Sequence, residues 1–215
     1  MKHNKKRKVI RKDKRKGYTL IVDPTIIEVE LRQAHITYLG VKGYRPVIGV
    51  LKELDIVIAY AFKEGNDNGG RLETILKSFE AMPEGKRIEK VLLDSEYYTN
   101  EVIEYLNNKG VKWAIAVDKD KAVMEAIQSI PETEWEPFYT RQGEPTDREI
   151  AETVHSTNKG REAFRLITLR WKDRQGELFK DTYNYHSIAT NMTEESPEEV
   201  VWQYNDRACI ENHIK

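Results

Sequence analysis

Five short apolar runs constrain this chain more than any other feature: residues 18–23, 46–50, 56–62, 88–94 and 111–117. Each is long enough for one strand and too short for a stable helix. Between the third and fourth runs, residues 71–81 put Leu72, Ile75, Leu76 and Phe79 on one helical face. Between the fourth and fifth, Thr99 can cap a helix over residues 100–109, and Gly110 can end it. The order β-β-β-α-β-α-β reads as an α/β fold with a mixed sheet, its first three strands in antiparallel succession. Residues 18–118 therefore form the first part of a core.

The character changes after Asp118. Residues 121–130 can make one more helix, and residues 131–160 are polar, broken by proline and glycine, and show little periodicity. Residues 164–171 and 181–190 alternate as strands do, with a turn expected at 174–177. Residues 119–185 read as a β-rich insertion. The chain then returns to the sheet edge, and residues 186–215 end in a helix.

That last helix carries an unusual stripe. Ser196 is a cap, Pro197 suits the first turn, and Glu198 and Glu199 suit its positive end. At about 100° per residue, Tyr204, Arg207 and Glu211 share an arc of roughly 60°. Val201 and Ala208 flank the arc on one side and Ile210 and Ile214 on the other, whereas Asn205 and Asp206 fall on the wet side. Charges on an inward face need partners or ligands. A plain i, i+4 pair between Arg207 and Glu211 would satisfy them, and so would a bound ion.

Charge is unevenly placed. Residues 1–17 hold ten Lys/Arg against Asp13 alone, a net of +9, so the rest of the chain carries −10 to give the overall −1. Residues 1–17 are expected to be a disordered arm that suits a polyanion, nucleic acid first; as a bare composition it also fits a merely solubilising tail. The single cysteine, Cys209, excludes an internal disulfide and a cysteine metal cage. No apolar run is long enough to span a membrane, and no apolar stretch follows the basic start to make a secretory signal. A cytoplasmic protein is the expectation.

Three acids stand out. Asp23 and Asp94 each close an apolar run, and Glu211 lies in the last helix. If the first and fourth strands are neighbours, both aspartates project at one sheet edge, where a crossing helix can bring Glu211. Three carboxylates so close need a cation, and oxygen-only ligands suit Mg²⁺ or Mn²⁺. Two such ions about 4 Å apart serve in-line attack at phosphorus. Each aspartate alone is equally a turn or cap residue. Asp118 and Asp120 also end a strand and compete as ligands.

Tyr204, Arg207 and Glu211 match the first three members of the Y-(2)-R-(3)-E-(6)-K signature, and the chain resembles the insertion-sequence DDE transposases that carry it. Asp23-Pro24-Thr25 is similar to the segment with their first catalytic Asp, and Leu92-Leu93-Asp94-Ser95-Glu96-Tyr97-Tyr98 to the block with the second. The run from Tyr38 to Pro46, Phe62-Lys63-Glu64-Gly65-Asn66 and Thr190-Asn191 also resemble family segments, in the right order. The resemblance implies a ribonuclease-H-like fold with a β-rich insertion before the Glu-bearing helix. It implies Asp23, Asp94 and Glu211 as catalytic metal ligands for two Mg²⁺ ions, with Mn²⁺ as substitute. Tyr204 and Arg207 would hold double-stranded transposon-end DNA, Arg207 through a phosphate. The implied activity is cleavage and strand transfer by a homodimer, in the cytoplasm and on the nucleoid of a prokaryote. The signature Lys would fall beyond Lys215, and relatives are longer at both ends, so a fragment is expected. A non-catalytic DNA-binding remnant and a nuclease of the same fold are the alternatives.

Overall fold

The computed structural model describes residues 2–37, 39–67, 69–157, 162–172 and 183–208, the side chains from residue 6 onward. Eleven strands and five α-helices are found among them. In chain order they are α1 (Lys2–Lys12), β1 (Gly17–Pro24), β2 (Ile27–Glu28), β3 (Gly43–Tyr44), β4 (Val47–Leu51), β5 (Ile56–Ala61), α2 (Arg71–Ala81), β6 (Arg87–Leu93), α3 (Asn100–Asn108), β7 (Lys112–Val117), α4 (Lys121–Gln128), β8 (Glu136–Tyr139), β9 (Pro145–His155), β10 (Phe164–Lys172), β11 (Tyr183–Thr190) and α5 (Pro197–Asn205).

Nine strands make one mixed sheet in the order β5-β4-β1-β6-β7-β11-β10-β9-β8. The first three strands of this sheet along the chain, β1, β4 and β5, are antiparallel neighbours. β6 and β7 then add to β1 in parallel, each after a crossover helix. This is the expected ribonuclease-H-like core. The small pair β2–β3 stands apart from it.

Alternation along the strands feeds two cores. Leu20 and Val22 of β1, Val91 and Leu93 of β6, and Trp113, Ile115 and Val117 of β7 meet Ile75 of α2, Val102 and Leu106 of α3, and Val123 and Ile127 of α4. Ile21, Leu92, Ala114 and Ala116 point the other way, toward Val200, Val201 and Tyr204 of α5. Each Val, Leu or Ile side chain among them contributes roughly 1.5–3 kcal/mol by leaving water. Gly49 of β4 has a packing reason: a Cβ there would come within 2.4 Å of the Ser78 hydroxyl on α2.

The segment after Asp118 does not stand off as a separate body. β11 pairs antiparallel with β7, from Ser187 opposite Val117 to Thr190 opposite Ala114, and β10, β9 and β8 extend the same sheet. Residues 145–155, expected to be irregular, form β9. Its periodicity is weak because only Ile150 and Ala151 of its eleven residues are buried. Thr190 and Asn191 lock this extension onto the core. The Thr190 hydroxyl donates to the Trp113 carbonyl at 2.7 Å. The Asn191 amide accepts from the Trp113 N–H at 2.8 Å and donates to the Val111 carbonyl at 2.9 Å, doing with a side chain what another rung of the ladder would do.

The basic arm, expected to lack order, is helical over Lys2–Lys12. Ile10 is 1% exposed in the core, Arg7 donates to the carbonyls of Glu80 and Ala81 at the end of α2, and Lys6 donates to the Val57 carbonyl of β5. The end of α2 and the unpaired edge of β5 both offer carbonyls in need of donors. The arm supplies those donors, together with one apolar anchor. Lys8, Arg11 and Lys12 remain exposed.

Candidate active site

Parallel pairing of β1 and β6 brings the two aspartates together. Val22 is in register with Leu93, so Asp23 and Asp94 leave their strands side by side at the C-terminal edge. Asp94 keeps part of its plain role: its Oδ1 accepts from the Ser95 N–H at 2.7 Å and caps the short turn Ser95–Tyr97. Its other oxygen, Oδ2, lies 3.9 Å from Nη1 of Arg207. The same Nη1 donates to Asp23 Oδ1 at 2.5 Å. The sum of those two distances, about 6.4 Å, is the most that can separate the two carboxylate oxygens. That is a span ligands of one two-ion centre can have, metal ions in such centres being about 4 Å apart.

Arg207 reaches this place from the end of α5. The Ser196–Glu199 capping box and Pro197 start that helix as expected. The α-helix stops at Asn205, and Asp206, Arg207 and Ala208 follow as a 3-10 turn. Asp206 is not simply wet: it pairs with Lys52, and Arg141 lies 3.5 Å from it, so the turn is anchored to the loop after β4. Tyr204 is buried, with the Arg207 guanidinium 5.6 Å from its ring centre and the His186 ring 5.9 Å away on the β11 side. Burial pushes the Tyr204 hydroxyl up to about 12. Burial also works against charge on Arg207, but Tyr204, Asp94 and Asp23 together outweigh it, and the group stays a cation. Glu211 lies outside the described residues, and with it the choice between an Arg207–Glu211 pair and a third ligand.

The aspartates open into a cleft of about 740 Å³, also lined by Asp118, Arg45, Arg71 and Arg207. Asp118 ends β7 on the same edge, whereas Asp120 accepts from the Val123 N–H at 2.9 Å and caps α4. Arg45 and Arg71 carry no role by sequence reasoning. Both hold the turn after Asp94, Arg45 by an ion pair with the Glu96 carboxylate and Arg71 by donating to the Glu96 carbonyl at 2.6 Å. The position of Arg45 inside the run from Tyr38 to Pro46 was the available signal. Among the described residues no group of three or more acidic, His or Cys side chains is close enough to hold a metal. The paired hard oxygens of Asp23 and Asp94, already gathered around a cation, fit Mg²⁺ or Mn²⁺ in donor type.

A family model described as "Transposase DDE domain group 1" matches residues 30–215. The chain belongs to this family. DDE transposases are enzymes of DNA transposition that use divalent metal ions. The match covers Asp94, Tyr204 and Arg207 and begins downstream of Asp23. What speaks for Asp23 is thus the strand pairing and the shared guanidinium. No curated protein matches the chain significantly. Among the described residues no helix is long and apolar enough to cross a membrane.

Proposed function

We propose that this chain is the catalytic part of a DNA transposase, which cuts transposon-end DNA and joins it to a target by in-line attack at phosphorus. The observation that carries the reading is the convergence of Asp23 and Asp94 on one guanidinium, in an open cleft at the C-terminal edge of β1 and β6. Asp23, Asp94 and Glu211 would hold two Mg²⁺ ions, for which Mn²⁺ can substitute. When bound, the metal supplies activation of a water or 3′-hydroxyl and charge stabilisation at the leaving oxygen. The protein's own residues orient the substrate. Arg207 presents a fork suited to phosphate oxygens, Tyr204 backs it, and Arg45 and Arg71 keep the turn after Asp94 in place. Double-stranded DNA also finds the exposed Lys8, Arg11 and Lys12 of α1. A homodimer on nucleoid DNA in the cytoplasm is the proposed working form.

The test is nicking of a supercoiled plasmid carrying transposon ends. Mg²⁺-dependent nicking is expected to vanish in Asp23→Asn and Asp94→Asn while DNA binding persists. Nicking that survives both changes overturns the assignment. The second reading, a member that binds DNA without cutting it, draws support from the basic face of α1. Salt-sensitive binding by the unaltered chain without any Mg²⁺-dependent nicking would establish that reading.

A further inference from the structure

Among the described residues, a cation that faces both Asp23 and Asp94 is the protein's own Arg207. We infer that the Arg207 guanidinium is the internal counter-ion of this pair, and that a DNA phosphate must draw it away before a divalent ion can settle there. DNA binding and metal binding at the site would then promote one another. The inference rests on the proposed role of Asp23 and Asp94 as metal ligands.

Three observations carry it. A single nitrogen, Nη1, faces both carboxylates, at 2.5 Å from Asp23 and 3.9 Å from Asp94. Like charges facing one gap repel each other and a cation between them relieves that repulsion, and an arginine cannot shed its charge to make room. A guanidinium and a divalent ion in the same seat repel each other, so the arrangements exclude one another. The backbone of Arg207 can stay fixed while its side chain moves, because Asp206 is tied to Lys52 and Tyr204 is buried. A phosphate entering the cleft meets Arg207 beside the exposed Arg71, and the planar fork binds phosphate oxygens as readily as carboxylate ones. Coupling of this kind is reciprocal: whatever DNA adds to metal affinity, metal adds to DNA affinity.

The experiment is a Mn²⁺ titration read by electron paramagnetic resonance on the full chain, with and without a short DNA duplex. Arg207→Gln removes the charge, and Arg207→Lys keeps it. Without DNA, the Gln variant is expected to bind Mn²⁺ on the order of tenfold more tightly than the unaltered protein, and the Lys variant no more tightly than the unaltered protein. Adding duplex should tighten Mn²⁺ binding by a similar factor in the unaltered protein and leave the Gln variant nearly unchanged. Should the Gln variant fail to fold by circular dichroism, the duplex effect on the unaltered protein decides alone. Equal Mn²⁺ affinity in the Gln variant, or no response to duplex in the unaltered protein, overturns the inference. If Asp23→Asn and Asp94→Asn also leave Mn²⁺ binding untouched, the ligand assignment falls with it. If those two variants lose Mn²⁺, only the counter-ion role falls.

Discussion

Asp23 and Arg207 are 184 positions apart in the chain and joined by a 2.5 Å hydrogen bond in the fold. Asp23 ends the first strand of the core, and Arg207 follows the last described helix. Their meeting ties the two ends of the domain at the edge where the chemistry is proposed. Both side chains are largely shielded, 15% and 17% exposed.

Removing the cation should therefore cost stability. Arg207→Ala leaves Asp23 and Asp94 facing each other without this partner. Breaking such a pair is expected to lower unfolding free energy by about 2 kcal/mol, below the full cost of a buried pair because the site is partly wet. Urea unfolding checks this. Mg²⁺ should restore part of the loss in the variant and give less benefit to the unaltered protein.

Asp94 has two jobs that mutation can separate. Its Oδ1 caps the Ser95–Tyr97 turn. Asp94→Asn keeps an acceptor for that cap, whereas Asp94→Ala does not. The Ala variant is expected to be less stable than the Asn variant by about 1 kcal/mol, while both lose nicking. Thermal melts and plasmid assays on the same preparations check the pair of outcomes.

Asn191 joins the strands that extend the sheet to the core by two hydrogen bonds to the backbone of β7 and the residue before it. Asn191→Ala strands the Trp113 N–H and the Val111 carbonyl. A cost of about 2–3 kcal/mol is expected, measured by denaturant unfolding. Hydrogen exchange should show the Trp113 amide losing protection, and β11 with it.

Two histidines set an acid limit. Burial, foremost, holds His186 below the ordinary histidine value; Arg148, Arg207 and Lys119 act the same way, and Asp94 opposes them. Burial likewise lowers His155, against Asp120. In each case the unfolded chain takes up a proton before the folded one. The unfolded state then binds more protons below about pH 6.5, so stability falls as pH drops through that region and is flat above it. Melting temperatures between pH 5 and 8 check the direction, and His186→Gln should weaken the dependence.

The exposed lysines and arginine of α1 should act on DNA affinity alone. Lys8, Arg11 and Lys12 changed together to Gln are expected to flatten the dependence of log K on log salt by about 0.9 for each phosphate no longer neutralised. Nicking at saturating DNA should be unchanged. Binding measured at several salt concentrations checks this.

Much of the core was legible in the residues. The runs that became β1, β4, β5, β6 and β7 are apolar enough to name themselves, and α2, α3 and α5 carry periodic faces, α3 and α5 with clear caps. Burial on both sides of a central strand leaves this signature in composition, so the order of the core elements along the chain could be anticipated, and the approach of Asp23 to Asp94 only on the condition that β1 and β6 are neighbours. β9 could not. A strand that buries two residues and shows the rest to water owes its shape to its neighbours rather than to its own pattern. α1 was hidden for a related reason: its charge says disorder, and only Ile10, with Arg7 and Lys6 meeting waiting carbonyls, says otherwise.

By itself the sequence named the candidates for this proposed chemistry: two aspartates at strand ends, Glu211, and a tyrosine–arginine pair at fixed spacing. Those are local properties, written in hydrophobic period and residue type. Which charge meets which was decided only in three dimensions. The arginine expected at a phosphate also faces two carboxylates because strand pairing places them within its reach, and the Coulomb energy of that meeting depends on distances that no spacing along the chain encodes.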